Sequence, residues 1–419
     1  MEAKNKEFKD TEIGRIPKEW KVVRLGDAEI AEIRHNRRVN GFEKVAFIPM
    51  ELIPESGIFC KYEIRPINEV KSFTYCERGD LLLAKITPSL ENGKQGIVPD
   101  DVLNGFALAT TEVFPLLPKG VDRLFLFYLL KFSKFRNRII ASMIGTTGRQ
   151  RASKESVENL KIPLPPLPEQ RKIAEILSTV DEAIQKVDEA IQRTERLKRG
   201  LMQRLLTQGI GHKEFKDNEI GRIPKEWEVV RLKEITLPTE NIDPKSKTEK
   251  EFKYVDITGI ENLAITSWSL IKSNNAPSRA RRLIKAKDVI FATTRPYLKN
   301  VAIVPEELDG QICSTGFCVI RPNEKFTISE WIFYNILTER FISRISSKMK
   351  GATYPAVSDK DVLEEKIPLP PLSEQRRIAE ILSTVDKKIE LERKRKEKLE
   401  RIKRGLMNDL LTGRKRVRT

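Results

Sequence analysis

The chain contains two copies of one unit in series. Residues 6–25 (KEFKDTEIGRIPKEWKVVRL) return almost unchanged as residues 213–232, and residues 161–181 (KIPLPPLPEQRKIAEILSTVD) return as residues 366–386. The offset is close to half of the 419 residues, whereas solenoid repeats have periods of a few tens of residues. An internal duplication is therefore predicted, with the two copies related by a pseudo-two-fold axis.

The segments between the repeated blocks have diverged, although matched residues such as Pro88 and Pro296, or Gly145 and Gly351, keep them in register. Short apolar or alternating runs bounded by turn residues predict strands. These runs are residues 45–50, 80–86, 106–117, 253–258, 288–293 and 311–321. A helix is predicted to follow in each segment, over residues 121–143 and 327–349. Two mixed α/β domains with one fold and two different surfaces are expected.

The repeated blocks predict long helices. Prolines prevent a helix over residues 162–167, and a helix begins near Pro168 or the matched Ser373. Apolar residues then follow a heptad seam, with a change of phase near Leu197. The seam residues are Ile173, Leu177, Val180, Ile184, Val187, Ile191, Leu201 and Leu205 in the first copy, and Ile378, Leu382, Val385, Ile389, Leu399, Leu406 and Leu410 in the second.

A helix over residues 169–207 is about 58 Å long at about 1.5 Å per residue. Two such helices related by a two-fold axis across them run antiparallel. Pairing between two chains is the alternative, but the second seam lies in the same chain. Intramolecular pairing is therefore predicted.

Charge indicates a polyanionic partner. The net charge is +17 and the sequence pI is about 9.5, as in proteins that bind nucleic acid. A role in solubility or heat adaptation is the alternative explanation. The longest apolar run, residues 124–130, is too short to cross a bilayer, and the polar N-terminus does not resemble a signal peptide, so a cytoplasmic location is expected.

Metal binding is not expected. The cysteines Cys60, Cys76, Cys313 and Cys318 form no CxxC pair, and only His35 and His212 could join them as ligands. Buried free thiols are predicted, with disulfides left open, and both histidines are predicted at the surface. Solvent or phosphate contact is predicted for the basic tail, residues 414–418.

The repeated EIGRIPKEW arms, the repeated IPLPPL(P/S)EQR(K/R)IAEILSTVD blocks and the long helix after each block together resemble the specificity subunits of type I restriction-modification systems. The resemblance spans the chain. It implies an α+β fold in which two mixed α/β target recognition domains are separated by a pair of long antiparallel coiled-coil helices. Each domain would recognise one half of a bipartite double-stranded DNA site. The helices would space the domains and dock two copies of a methyltransferase subunit, which holds S-adenosylmethionine, in a complex with restriction/translocase subunits.

The expected organisation alternates repeated and variable regions. It consists of an N-terminal arm (1–25), a first target recognition domain (26–160), a central region with a long helix (161–212), the repeated arm (213–232), a second target recognition domain (233–365) and a C-terminal region with a long helix (366–419). No catalytic residue or cofactor is expected, because the chain contains neither an Asn/Asp-Pro-Pro-aromatic motif nor Gly-x4-Gly-Lys-Ser/Thr.

DNA contacts are expected from polar loops after the strands, where basic, amide and hydroxyl side chains reach phosphates and base edges. In the first domain the candidates are Lys85, Thr87, Ser89, Asn92, Lys94, Gln95, Thr146, Thr147, Arg149, Gln150 and Arg151. In the second they are Arg279, Arg281, Arg282, Arg295, Tyr297, Lys299, Asn300, Lys348, Lys350, Thr353 and Tyr354. Two other functions remain open: a two-headed scaffold that binds proteins, which leaves the basic domains unexplained, and a nuclease using Glu-x-Lys triplets.

Overall fold

The computed structural model describes residues 7–146, 148–246, 250–351 and 355–417, which form two compact units. Unit 1 contains the described residues up to Ala190 and those from Glu392 onward. Unit 2 is Ile191–Leu391. Within the described ranges, no helix is long and apolar enough to span a membrane.

Unit 1 is built on two four-stranded sheets. Its strands are β1 (Phe8–Lys9), β2 (Ile16–Pro17), β3 (Lys21–Arg24), β4 (Ala31–Ile33), β5 (Lys44–Ile48), β6 (Glu63–Pro66), β7 (Thr74–Glu77), β8 (Leu81–Ala84), β9 (Gln95–Ile97), β10 (Phe106–Ala109), β11 (Val113–Pro118) and β12 (Lys161–Leu164). One sheet has the order β6-β5-β10-β7, in which β5 and β10 are parallel. The other has the order β4-β11-β8-β9 and is antiparallel.

The helices that begin in unit 1 are α1 (Arg123–Lys131), α2 (Ser133–Ile140), α3 (Lys154–Glu158) and α4 (Leu167–Gln208). Strand β8 is buried on both faces, which explains its uninterrupted apolar sequence. Leu81 and Leu83 pack in the core formed with the helices, whereas Leu82 points into the core that β5 and β10 share.

Unit 2 repeats this architecture. Its elements are β13 (Phe215–Asn218), β14 (Gly221–Pro224), β15 (Glu228–Arg231), β16 (Thr236–Leu237), β17 (Glu251–Val255), β18 (Ile260–Glu261), β19 (Ala264–Ile265), β20 (Ser269–Lys272), β21 (Ala280–Leu283), β22 (Val289–Ala292), β23 (Val301–Ile303), β24 (Ile312–Ser314), β25 (Phe317–Pro322), β26 (Lys366–Leu369), α5 (Ser329–Ile336), α6 (Glu339–Ser346), α7 (Asp359–Leu363) and α8 (Leu372–Leu410). The sheet orders are β16-β25-β22-β23 and β20-β17-β24-β21. The mixed α/β fold and its duplication are thus confirmed.

Each helix predicted after the strands is broken into two, so the prediction of one continuous helix is wrong. In unit 1 the break is at Phe132, which has an extended backbone (ψ 123°). Arg136 donates hydrogen bonds to the carbonyls of Leu130 and Lys131 that the break exposes. In unit 2, Thr338 begins α6 as its N-cap, accepting a bond from the Phe341 amide.

The two long helices α4 and α8 are confirmed, and they are antiparallel where they pack within a unit. In unit 1, Asp181 contacts Lys403 (2.5 Å) and Asp188 contacts Lys396 (2.7 Å), so later α4 residues meet earlier α8 residues. In unit 2, Lys198 contacts Asp386 (2.5 Å). These ion pairs lie among apolar seam residues such as Leu177 and Leu382, both fully buried.

The predicted phase change of the seam is wrong. Leu197 is 55% exposed, whereas Thr194 is 7% exposed. Lys198 is also largely covered. After Ile191 the seam therefore continues with its original spacing through these polar residues to Leu201 and Leu205. Lys198 tolerates this position because Asp386 neutralises it and its ammonium lies over the Tyr334 ring.

The two repeated blocks of each copy come together. Strand β3 pairs with β12, and β15 pairs with β26. The Trp20 indole donates a hydrogen bond to Glu169 at the start of α4, and Trp227 does the same to Glu374 at the start of α8. The requirement for this contact explains why the arm and the helix start are alike in both copies.

Residues 414–416 of the basic tail are exposed, as predicted, whereas the prediction that His212 lies at the surface is wrong. Arg416 of the basic tail is paired with Glu169 (2.6 Å) and Glu19 (2.8 Å). His212 is largely covered and bonds through Nε2 to Glu374 (2.9 Å). The prediction of buried free thiols is confirmed, because all four cysteines are unpaired and buried.

Candidate nucleic-acid interface

In unit 1 the two predicted loops lie side by side. The loop after β8 and the segment after α2 are joined by a bridge between Ile86 and Arg151. The Thr87 amide donates to the Gln150 carbonyl (3.0 Å), and the Ala152 amide donates to the Lys85 carbonyl (2.8 Å). Candidates that are about sixty residues apart in the sequence thus share one surface.

Unit 2 brings its loops together through backbone contacts at matched positions. The Arg295 amide donates to the Pro355 carbonyl (2.9 Å), and the Val357 amide donates to the Thr293 carbonyl (3.0 Å). A third segment joins this surface: Gly316 accepts a bond from Thr293 (2.8 Å), and Thr315 donates to the Arg279 carbonyl (2.8 Å). We call each assembly of loops the paired-loop surface of its unit: residues 85–95 with 144–146 and 148–152, and residues 293–300 with 350–351 and 355–357.

Four predicted cations are exposed and form no salt bridge among the described residues: Arg149 in unit 1, and Arg279, Arg295 and Lys350 in unit 2. Lys350 interacts electrostatically with Asp361 and helps to lower the pKa of that carboxyl. A guanidinium can bind a phosphate or the O6 and N7 atoms of guanine through two hydrogen bonds. These four side chains can therefore bind a polyanion without breaking an ion pair.

Other predicted cations are already engaged within their units. Arg151 bonds to Glu112 (2.8 Å), Arg281 to Asp243 (2.7 Å), Lys299 to Glu339 (2.5 Å) and Lys348 to Glu365 (2.6 Å). The hydrogen bond from Arg151 lowers the pKa of Glu112, which keeps this carboxylate charged beside the loops. DNA contacts by these residues would compete with the ion pairs.

Arg282, Lys94 and Gln95 are corrections to the predicted set. Arg282 is half-buried against Asp359, and Lys94 donates to the Met50 carbonyl (2.8 Å). Gln95 is fully buried and donates to the Phe127 carbonyl (2.7 Å). All three side chains are engaged by partners distant in sequence, Asp359, the Met50 carbonyl and the Phe127 carbonyl, which sequence composition does not reveal.

The remaining described candidates differ in exposure. Asn92, Thr146 and Tyr297 are exposed, whereas Lys85, Thr87, Ser89, Gln150 and Asn300 are half-buried. The Thr87 hydroxyl donates to Glu91 (3.2 Å), and the Lys85 ammonium lies 5.4 Å from the Phe114 ring centroid. Thr147, Thr353 and Tyr354 lie outside the described residues.

Lys131, which no sequence pattern singled out, holds the backbone beneath the unit 1 surface. Its ammonium donates to the carbonyls of Gly93 (2.8 Å) and Glu55 (2.5 Å). Burial lowers the pKa of this lysine to about 7. Gly93 has a φ of 77°, and a Cβ there would lie 2.5 Å from the Arg136 guanidinium, so the position requires glycine.

Matched aspartates also support both surfaces. Asp80 is buried before β8 and accepts bonds from Arg34 Nε (2.6 Å) and Nη2 (2.9 Å). Asp288 is buried before β22 and accepts from Arg321 Nε (2.9 Å) and Nη2 (2.8 Å). Burial raises the pKa of Asp80. The presence of aspartate at both matched positions indicated a shared structural role. The arginine partners could not be predicted in the same way, because they come from different elements in the two units.

The contacts that hold the domains against the long helices are more alike in the two units than the polar groups on the paired-loop surfaces. Tyr128 donates to Asp181 (2.9 Å), which also binds Lys403; Tyr334 donates to Asp386 (2.8 Å), which also binds Lys198. Each triad fixes a domain helix against the long helices of its own unit. Two similarly supported surfaces therefore present different polar groups.

Comparisons with known proteins give a consistent result. The profile described as "Type I restriction modification DNA specificity domain" matches residues 17–195 and 224–401. Two Methanocaldococcus jannaschii proteins are similar over nearly the whole chain. The type I restriction enzyme MjaVIII specificity subunit is 30% identical, in an alignment that covers 99% of this chain and 97% of that protein. The putative type I restriction enzyme MjaX specificity subunit is 31% identical, in an alignment that covers 99% of this chain and 98% of that protein. The crystal structure of a type I restriction-modification S subunit from M. genitalium matches with a TM-score of 0.57 at 16% identity, covering 93% of this chain and 96% of the other.

Proposed function

The chain belongs to the family of type I restriction-modification DNA specificity proteins, and from this premise we propose that each unit recognises one half of a bipartite duplex site through its paired-loop surface. As a specificity subunit, the chain supplies DNA recognition to a complex with methyltransferase and restriction subunits. One observation supports our assignment of the surface: the same two loops meet in both units, through equivalent backbone hydrogen bonds. The Arg295 amide donates to the Pro355 carbonyl in unit 2, and the Thr87 amide donates to the Gln150 carbonyl in unit 1.

Different side chains on matched backbones favour recognition of two different sequences. Arg149 in unit 1, and Arg279, Arg295 and Lys350 in unit 2, would neutralise phosphates or contact base edges. The paired helices α4 and α8 would set the number of base pairs between the half-sites. They would also dock two methyltransferase subunits, which bind S-adenosylmethionine. The complex would act in the cytoplasm, where the chromosome is accessible.

We propose further that the chain has no catalytic activity of its own. Purified chain incubated with DNA and labelled S-adenosylmethionine should transfer no methyl group. Adding the methyltransferase subunit should start transfer to one bipartite motif. Transfer by the chain alone would contradict this assignment, as would transfer by the complex without sequence preference.

A salt series tests the surface directly. Duplex DNA binding by the complex should weaken steeply as salt rises, because bound cations release counterions from the phosphates. Arg149→Ala with Lys350→Ala should reduce the slope by about 2 in a plot of log affinity against log salt. Arg123→Ala is the control, because Arg123 is paired with Asp100 (2.7 Å) away from the loops. An equal slope in all proteins would place the interface elsewhere, and salt-independent binding would favour a protein-binding scaffold.

A further inference from the structure

An exposed apolar pair lies at the tip of the unit 2 surface. Tyr297 is 48% exposed and Leu298 is 54% exposed, and they are adjacent in one turn. The matched leucine of unit 1, Leu90, is 0% exposed. The shared fold therefore does not require an exposed leucine at this position.

The turn that presents this pair is held rigidly. Arg295 (φ 50°) and Lys299 (φ 55°) are left-handed residues on either side of the turn Pro296–Leu298. The Leu298 amide donates to the Arg295 carbonyl (2.9 Å), and the Ala292 amide donates to the Asn300 carbonyl (2.9 Å). Left-handed conformations are costly for residues other than glycine and persist where the surrounding structure enforces them. Such a turn loses little conformational entropy when a ligand covers its tip.

The charged side chains around the pair are mainly cationic, and the nearby carboxylate of Glu339 is paired with Lys299. Arg295 directly precedes the pair. Lys350 lies on a neighbouring segment, because Lys350 and Thr294 both form β-bridges with Ala356. Neither cation forms a salt bridge in the described ranges. A purely apolar partner would leave these charges uncompensated, whereas duplex DNA offers phosphates around stacked apolar bases.

We infer that Tyr297 and Leu298 form an apolar wedge that inserts against a base step of the half-site bound by unit 2 and partly unstacks it. The inference rests on the proposed function. Apolar side chains inserted at a base step kink DNA in other proteins, while neighbouring cations bind phosphates. Pyrimidine–purine steps unstack most easily, so unit 2 would prefer such a step even without a hydrogen bond to it.

Unit 1 places its exposed apolar side chain differently. Ile144, 77% exposed, lies on the segment after α2, where unit 2 has Lys350. Ser89 takes the position of Tyr297. The wedge is therefore specific to unit 2, and the distortion should occur in one half-site only.

The test uses the complex of the full chain with its methyltransferase subunits. The methylated motif is first determined by sequencing. In separate duplexes, 2-aminopurine, an adenine analogue that fluoresces when unstacked, replaces each adenine of either strand in both half-sites except the methylated base. The wild-type complex should raise fluorescence at one step, in the half-site assigned to unit 2 by exchanging residues 26–160. The double substitution Tyr297→Ala with Leu298→Ala should abolish this signal and weaken cognate binding roughly tenfold.

Two controls accompany the double variant. Leu237→Ala removes another exposed leucine of unit 2. Leu237 pairs with Arg321, near the end of β25 that is remote from the loops. This substitution should change neither the fluorescence nor the affinity. Tyr297→Phe with Leu298→Met keeps apolar bulk and should retain both. No fluorescence change with wild-type complex, or an unchanged signal and affinity in the double alanine variant, would overturn the wedge. Sequence-specific methylation that persists in those cases would leave the proposed function standing, whereas methylation without a motif would refute both.

Discussion

At the scale of single residues, the partner of each cation decides what it can do. Arg295 and Lys350 are exposed and form no salt bridge within the described chain, whereas Arg282 is half-buried against Asp359. Buried ion pairs lose much stability when one partner is removed. Substitutions at these positions should therefore separate recognition from folding.

The first prediction concerns Arg295. Arg295→Ala should cost about 1–3 kcal/mol of binding free energy on the cognate site and relax one motif position, because one arginine can make two hydrogen bonds to guanine. Lys350→Ala should weaken all sequences alike. Titration of cognate and single-mismatch duplexes with the complex measures both effects. An unchanged motif and affinity for Arg295→Ala would show that another loop contacts the bases.

The second prediction concerns Lys131, whose pKa burial lowers from 10.5 to about 7. Between these pH values the unfolded chain binds a proton that the folded chain lacks, so the free energy of unfolding rises with pH, by at most about 1.4 kcal/mol per unit. The penalty is fully present below pH 7.

Urea unfolding of wild type and Lys131→Met at pH 7, 8 and 9 measures this contribution. Methionine cannot donate to Gly93 or Glu55, which gives an offset common to all three pH values. The stability of wild type relative to the variant should increase across the series. Parallel pH curves would show that Lys131 keeps an ordinary pKa.

At the scale of elements, the two long helices combine an apolar seam with ion pairs. Asp181 with Lys403 and Lys198 with Asp386 occupy matched positions in units 1 and 2. Asp188 with Lys396 adds a pair in unit 1. Polar seam groups in coiled coils specify register at some cost in stability, and these pairs fix how α4 and α8 align within each unit.

The third prediction compares two leucines of α4. Leu205 is 7% exposed beside Trp227, and Leu197 is 55% exposed. Leu205→Ala should lower the free energy of unfolding by about 2–5 kcal/mol, because it leaves a cavity. Leu197→Ala should change it by about 0.5 kcal/mol or less. Equal losses would mean that the seam changes phase at Leu197 after all.

These elements also show what the sequence could predict. The duplication, the long helices and the presence of two polar loop segments in each domain follow from local patterns and matched positions, whereas the pairing of those segments was not predicted. The helix break at Phe132 could not be predicted, because it depends on hydrogen bonds from the Arg136 side chain to the exposed carbonyls. Nor could the inward direction of Gln95 or the burial of Lys198, since each depends on a partner distant in sequence.

At the scale of the whole molecule, one chain contains two paired-loop surfaces, which we propose bind DNA, and a pair of long helices. Unit 1 and unit 2 each have their own two sheets and their own cores. Each surface forms within one unit. Recognition should therefore be modular, with spacing and sequence controlled independently.

The fourth prediction concerns spacing. A heptad inserted between Ile191 and Gln192 and another between Glu392 and Arg393 leave the pairs Asp188–Lys396 and Lys198–Asp386 intact. Each helix lengthens by about 10.5 Å, comparable to about three base pairs at about 3.4 Å each. The spacer of the methylated motif should grow accordingly. An unchanged spacer would show that helix length does not set it.

The most direct test of recognition by two separate units is to exchange one domain and sequence the methylated sites. Residues 26–160 are replaced by the corresponding segment of a relative, and the chimera is expressed with its methyltransferase subunit. Two independent surfaces predict that one half of the methylated motif changes to a new sequence, while the other half and the spacer remain as in wild type. A change in both halves, or a fully methylated original motif, would contradict recognition by two separate units.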